Sequence, residues 1–224
     1  MPPMAEENPV RLSEWKAQVQ VQAGHYGARY DDWDKWTNYW WQIRAVADSG
    51  SHDVLEIGVG SRVVSSWLRN NGVRLATLDI DSQLAPDFVG SADALPFPDN
   101  SFDAIICAEV LEHMPFGSSC QAIREIYRVT RKHAFVTVPQ FALSFAILCR
   151  LPLLHLREFR FRIPYRRALP TGGEHYWEIG RPGYPLRRLK REFAGAGFRI
   201  VSDRRMMTNY SHCFFKLQKA DVSL

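Results

Sequence analysis

The sequence predicts an α/β protein built on an open, mainly parallel sheet with helices on both faces. Three observations predict it. Short apolar strands alternate with amphipathic helices between about residues 50 and 140, the first strand ends in a glycine-bearing turn that opens a helix, and two more strands follow the last helix. Strands buried on both faces read as near-continuous apolar runs, as 102–107 and 134–138 do here.

Taken in order, residues 31–47 read as an amphipathic helix opened by Asp31 or Asp32, with Trp33, Trp36, Trp40 and Ile43 at helical spacing. Such a stripe is expected in the core. The alternative places it over a ligand site, with Tyr26 and Tyr30 reaching inward. Gly50 and Ser51 end the helix, and 53–58 form a strand running into a turn. A helix through Val63, Val64, Trp67 and Leu68 stops at Asn71-Gly72. A strand at 74–80 carries Asp79 at its end, a link with Pro86 leads to 87–94, and 96–100 is a turn. A strand at 102–107, a helix at 118–130 and a strand at 134–138 closed by Pro139 follow.

Beyond Pro139 the pattern loosens into an apolar piece to Leu156, an Arg-rich segment to Arg167 and a glycine turn at 171–173. Regularity returns with a helix at 185–196 stopped by Gly197, a strand at 198–202 and a last strand at 213–217. One domain over 1–224 is the expected organisation, with a helical cap at 1–49 and an insertion at 140–181 serving as an acceptor lid.

Composition sets limits on function. Hydrophobic residues at 46% and charged residues at 23% are ordinary for a globular chain. The four cysteines, Cys107, Cys120, Cys149 and Cys213, form no CxxC pair and no framework of a secreted mini-domain, so a reducing cytoplasm is expected. The acidic start MPPMAEENPVRLSEW lacks the basic and apolar regions of a signal peptide. The longest apolar stretch, 141–156, is broken by Arg150 and Pro152 and falls short of the roughly 20 residues a spanning helix needs. Between Arg150 and Arg205 stand fourteen Lys or Arg against five Asp or Glu, an excess of +9 that leaves the rest of the +4 chain at −5. Such a stretch is either a solvated face or a surface for phosphates or anionic membranes.

In an open α/β sheet, ligands bind at the carboxyl ends of the strands, where the strand order reverses. The turn Glu56-Ile-Gly58-Val-Gly60-Ser61 is the first such contact. Its glycines let the backbone approach a ligand, and Glu56 is placed to bind a cationic amino group. Asp79, at the end of the next strand, can accept both hydroxyls of a ribose, which by itself suits a nicotinamide dinucleotide equally well.

The stretch GSADALPFPDNSFDAIICAEVLEHM, residues 90–114, separates the readings. It closely resembles the third and fourth motifs of the small class I S-adenosylmethionine-dependent methyltransferases. The resemblance covers about 50–140 together with the last helix and final strands. It implies a Rossmann-like, seven-stranded, mainly parallel sheet with an antiparallel C-terminal hairpin edge. It also implies S-adenosyl-L-methionine as cofactor and S-adenosyl-L-homocysteine as product. By that resemblance Asp93 and Ala94 meet adenine, Asp79 binds ribose, Ile80 packs on the base, Glu56, Gly58 and Gly60 surround the methionine end, and Glu109 closes it. One departure stands: Arg62 occupies the place of the family's third glycine.

Methyl transfer from a sulfonium needs mainly orientation of the acceptor, in line at about 3 to 3.5 Å, and exclusion of water. A hydroxyl acceptor gains from a base and an amine acceptor must be deprotonated. His113 is the first candidate base and His175, in Gly-Glu-His-Tyr-Trp-Glu, the second; for each, a structural histidine is the plainer reading. No metal is expected, although Glu109, Glu112 and His113 have the ExxEH spacing that a few methyltransferases use, with a further histidine, to hold a divalent ion.

Transfer to O or N of a small-molecule acceptor by in-line SN2 displacement is the leading expectation. A nucleic-acid methyltransferase using the basic 150–205 region is a rival, and so is a membrane-associated enzyme acting on a lipid or quinone through 141–154. A non-catalytic protein that keeps the cofactor fold is a third. Acceptor and oligomeric state stay open.

Overall fold

The computed structural model describes residues 17–26, 30–141, 143–149, 157–163, 174–206 and 209–220. Its elements run in chain order: helix α1 (Trp33–Ser49), β1 (Asp53–Ile57), α2 (Val63–Asn70), β2 (Arg74–Asp79), β3 (Phe88–Val89) and β4 (Phe102–Ala108). After a single turn at Leu111–His113 come α3 (Phe116–Val129), β5 (Thr130–Pro139), β6 (Leu143–Cys149), β7 (Arg157–Ile163), α4 (Leu186–Ala196), β8 (Phe198–Met206) and β9 (Asn209–Lys219).

Seven strands form one sheet in the order β3-β2-β1-β4-β5-β9-β8. The first five are parallel, β9 runs antiparallel to β5, and β8 pairs antiparallel with β9 at the edge. Crossover helices α2 and α3 enforce the parallel part, because each returns the chain to the start of the sheet. The expected antiparallel edge is thus present.

Alternation along each strand sends apolar residues to both faces. Leu55, Ile57, Ile105, Cys107, Ala134 and Val136 share a buried cluster with Ile123 and Ile126 of α3 and Leu189 and Phe193 of α4. Val54, Ala104, Ile106 and Phe135 face the other way, against Val46 of α1 and Val64 and Leu68 of α2. Helices therefore cover both faces.

Two expectations are corrected. The tryptophan stripe of α1 is not core: Trp33, Trp36 and Trp40 are 72%, 52% and 57% exposed. The helix buries Asn38, Gln42 and Val46 instead, and Trp41 packs on Phe135 and Phe214 of the sheet. Four apolar positions at helical spacing define a face but not the side that meets the sheet, and here a more polar face won because it also borders the ligand cleft. The region after Pro139 is not merely irregular, since β6 and β7 pair as a separate antiparallel ribbon from Leu143↔Ile163 to Cys149↔Arg157. Its signal is the period-two run Arg-Glu-Phe-Arg-Phe-Arg-Ile at 157–163.

Several helix and strand limits differ from the expected ones by one to four residues: α3 begins at Phe116, β5 at Thr130, and β8 and β9 extend to Met206 and from Asn209. The chain start, the glycine turn 171–173 and much of the apolar and Arg-rich 150–173 stretch lie outside the described residues. No helix among the described residues is long and apolar enough to cross a membrane.

Candidate active site

The strand order reverses between β1 and β4, and a cleft opens there at the strands' carboxyl ends. It encloses about 1080 Å³ of space free of atoms, its solvent-open mouth included. Its floor is the β1 end and following turn, Glu56 to Ser61. One wall is Asp79 and Ile80 with Gly90, Ser91 and Ala92, and the other is Ala108 to Val110 with His113 and Met114. Tyr26, Tyr30 and α1 residues Lys35, Tyr39 and Gln42 close the top.

The glycine turn is geometrically required. Gly58 sits at φ +82° with its N–H donated to Leu78 O at 2.9 Å, and a Cβ there would lie 2.4 Å from Val110 Cγ2. The place of the missing third glycine is held by Arg62, whose own φ is +64°. Its backbone thus adopts the left-handed conformation a glycine would supply, and its guanidinium donates to Ala85 O.

Glu56 is buried at the centre of the sheet, between Thr77 of β2 and Ile106 of β4. Burial pushes its carboxyl up to about 8, against the opposing pull of Ser65 and Arg69. Among the described residues its Oε2 has no hydrogen-bond partner. Asp79 is held rigidly: Oδ2 accepts Val59 N at 2.8 Å and Oδ1 accepts Asp81 N at 2.9 Å. Burial raises its carboxyl and these backbone donors partly offset the rise. Each oxygen keeps a further lone pair for a ligand hydroxyl.

Glu109 has φ +56°, an unusual backbone for a glutamate. Its carboxylate accepts from Lys35 Nζ and Asn38 Nδ2, and His212 Nε2 lies 3.5 Å away. Burial alone would raise this carboxyl, but His212 and Lys35 outweigh it and hold it well below the carboxylate range. Lys35, Asn38 and His212 were missed by the sequence reading. The signal for the first two was present as Lys35, Asn38 and Gln42, a polar stripe at helical spacing on the face opposite the tryptophans.

Glu56, Gly58, Gly60, Asp79, Ile80, Glu109 and His113 all line the cleft. Asp93, Ala94 and His175 are not among its lining residues; Asp93 accepts a hydrogen bond from Ser91, which is. His175 lies behind His113, ring centroids 4.8 Å apart. Burial lowers the His113 imidazole and His175 lowers it further, whereas for His175 burial is outweighed by Glu178 and Glu112, which raise it. Glu112, 1% exposed, belongs to this pair rather than to Glu109: among the described residues the cluster close enough for a shared ion is Glu112, His113 and His175. Glu109 is not part of that cluster, and its carboxylate is engaged by Lys35, Asn38 and His212.

The 3-2-1-4-5 parallel core with an antiparallel edge, and a cleft built on a glycine turn and two strand-end carboxylates, form a Rossmann-like fold of the kind found in S-adenosylmethionine-dependent methyltransferases. Residues 55–138 match the family described as methyltransferase domain. An uncharacterized methyltransferase of Mycobacterium sp. (strain KMS) is 28% identical over 130 residues, 54% of this chain and 51% of the relative, so the chain spans about half the length of the relatives it matches. The fold resembles the N-methyltransferase NodS of Bradyrhizobium japonicum WM9, solved with S-adenosyl-L-homocysteine (TM-score 0.60, 12% identity, 88% of this chain and 93% of that one). It also resembles the 1,6-didemethyltoxoflavin-N1-methyltransferase of Burkholderia thailandensis, solved with its substrate and S-adenosylhomocysteine (TM-score 0.56, 14% identity, 88% and 85%).

Proposed function

We propose that this chain transfers a methyl group from S-adenosylmethionine to an oxygen or nitrogen of a small-molecule acceptor. The observation that carries the reading is the buried Glu56 carboxylate, whose Oε2 lacks a partner on the floor of the same cleft in which Asp79 is oriented by two backbone N–H groups. A buried carboxylate oxygen without a donor is costly unless a ligand supplies one. The ammonium of a methionine moiety is such a donor. Gly58 leaves room for the backbone to approach it, Asp79 takes the ribose hydroxyls, and Ile80 offers an apolar surface to the base.

Bound there, the cofactor supplies an activated methyl group on a sulfonium. The protein's share is then to orient the acceptor, exclude water and take up a proton. Tyr26 and Tyr30, edge to face at 5.0 Å, close the cleft against solvent. His113 is placed to take the proton: its Nδ1 lies 3.1 Å from Glu174 O, which can only accept, so the ring presents Nε2 as the lone-pair nitrogen.

Calorimetric titration with S-adenosylmethionine and S-adenosylhomocysteine tests the reading. Micromolar binding that is lost in Asp79→Ala is the expected result. No binding by the wild-type protein would overturn it.

A further inference from the structure

One cluster is left unused by the proposed cofactor contacts. Glu112, His113 and His175 each offer a ligand atom, and these atoms all lie within 4.8 Å of one another. The first two sit on the single turn Leu111–His113, the third on a segment fixed beside it. Tyr176 N donates to Glu112 O at 2.8 Å, and the buried Trp177 ring donates to Leu111 O at 3.1 Å and Ser119 Oγ at 2.9 Å. The three groups are therefore preorganised by backbone and core contacts, not by each other.

Two features point to a cation. Among the described residues neither carboxylate oxygen of Glu112 has a hydrogen-bond partner, although the residue is 1% exposed. Both imidazoles are oriented the same way: Nδ1 of His113 faces Glu174 O at 3.1 Å and Nδ1 of His175 faces Glu178 Oε1 at 2.8 Å. Each Nδ1–H is thus donated to an oxygen and each Nε2 is left to bind a ligand, the arrangement in which outer carboxylates and carbonyls orient metal-bound histidines. Two imidazoles and one carboxylate suit a first-row divalent ion such as Zn²⁺, Co²⁺ or Mn²⁺ over Mg²⁺ or Ca²⁺, which prefer oxygen-only shells.

We propose that Glu112, His113 and His175 bind one divalent transition-metal ion at the edge of the cleft, with open coordination positions for an oxygen of the methyl acceptor. The acceptor role rests on the methyltransferase reading; the metal site itself does not. With an ion in place, His113 is a ligand and the acceptor oxygen loses its proton through coordination instead. Glu178 is a positioning residue, acting through His175 and itself held by Arg181 Nε at 2.8 Å.

The test is titration of tag-free, chelator-treated protein with CoCl₂, followed by visible absorption, with competition by Zn²⁺. The expected result is one Co²⁺ per chain with intense d–d bands, lost in Glu112→Gln and in His175→Ala. Glu178→Gln should weaken binding by about 10–100-fold while keeping the spectrum. Absence of a saturable Co²⁺ signal in the wild-type protein, or equal binding by all variants, overturns the proposal. Titration of the same metal-free samples with S-adenosylhomocysteine reports folding of the variants and separates the two readings. Cofactor binding without metal binding removes the metal site alone, and metal binding without cofactor binding removes the methyltransferase reading alone.

Discussion

Lys35 of α1 and Glu109 after β4, 74 residues apart in sequence, are ion-paired on the wall of the cleft. Through this pair the N-terminal helix is tied to the loop that faces the proposed methionine subsite. Lys35→Met should destabilise the protein by about 2 kcal/mol, below the roughly 3–5 of a fully buried pair because Asn38 and His212 remain on the carboxylate. Urea unfolding measures the loss, and amide exchange should show it concentrated in α1. The carboxyl of Glu109 is depressed by folding, so its contribution is present above the ordinary glutamate value near 4.5 and fades as pH falls below it. The wild-type and Lys35→Met proteins should therefore converge in stability in acid.

Trp177 is 1% exposed and carries the segment that places His175. Trp177→Ala should cost about 3–5 kcal/mol, the range for emptying a large aromatic site in a core. Trp177→Phe fills most of that volume but strips the indole donor from Leu111 O and Ser119 Oγ. It should cost about 1–2 kcal/mol. Denaturant midpoints in that order are expected; a Trp177→Phe protein as stable as wild type would mean that packing alone matters and the two hydrogen bonds contribute nothing.

The parts of the fold legible in the sequence are those whose signal is local. Gly58, Asp79 and the 90–114 stretch sit on strand ends and turns whose spacing is set by the chain itself. His212 was not legible, because its role comes from a tertiary meeting at Glu109 that no short-range pattern encodes, and the polar stripe of Lys35, Asn38 and Gln42 marks a face of α1 without naming that partner. The α1 stripe misled for a related reason: period 3.6 identifies a face, but burial of Asn38 at 0% in place of Trp36 at 52% depends on what the sheet and cleft present to it. The 157–163 alternation was legible as a strand, and its Arg content diverted the reading toward a charged surface.

Arg62 adopts φ +64°, a conformation that costs a non-glycine residue about 1 kcal/mol, and recovers part of it through the Ala85 carbonyl. Arg62→Gly should be close to neutral, within about 0.5 kcal/mol, because relief of strain offsets the lost contact. Arg62→Ala keeps the strain and loses the contact, so it should fall below both by about 0.5–1 kcal/mol. Thermal melts of the three proteins decide this. Cofactor affinity should hardly move, since the turn keeps its conformation; a large loss in Arg62→Gly would assign the guanidinium a ligand role instead.

Glu56 sets stability against binding. Its folded carboxyl is pushed up to about 8 by burial, with Asp79 adding to the rise and Ser65, Arg69 and Arg62 opposing it. Between the ordinary value near 4.5 and about 8, the folded state holds a proton that the unfolded state has released, so stability falls as pH rises through that window and levels above it. Glu56→Gln removes the titration, and at pH 8.5 the variant should be more stable than wild type by about 3 kcal/mol, with the difference gone near pH 4. The same substitution removes the anionic partner proposed for the ammonium, and S-adenosylmethionine should bind about 10–100-fold more weakly. Wild-type binding at pH 7 should also release a proton, because an ammonium beside Glu56 favours its ionised form; calorimetry in buffers of different ionisation enthalpy reads that proton directly. A variant that gains alkaline stability and still binds the cofactor like wild type would mean that the amino group rests elsewhere, on Glu109 or the backbone carbonyls of the turn.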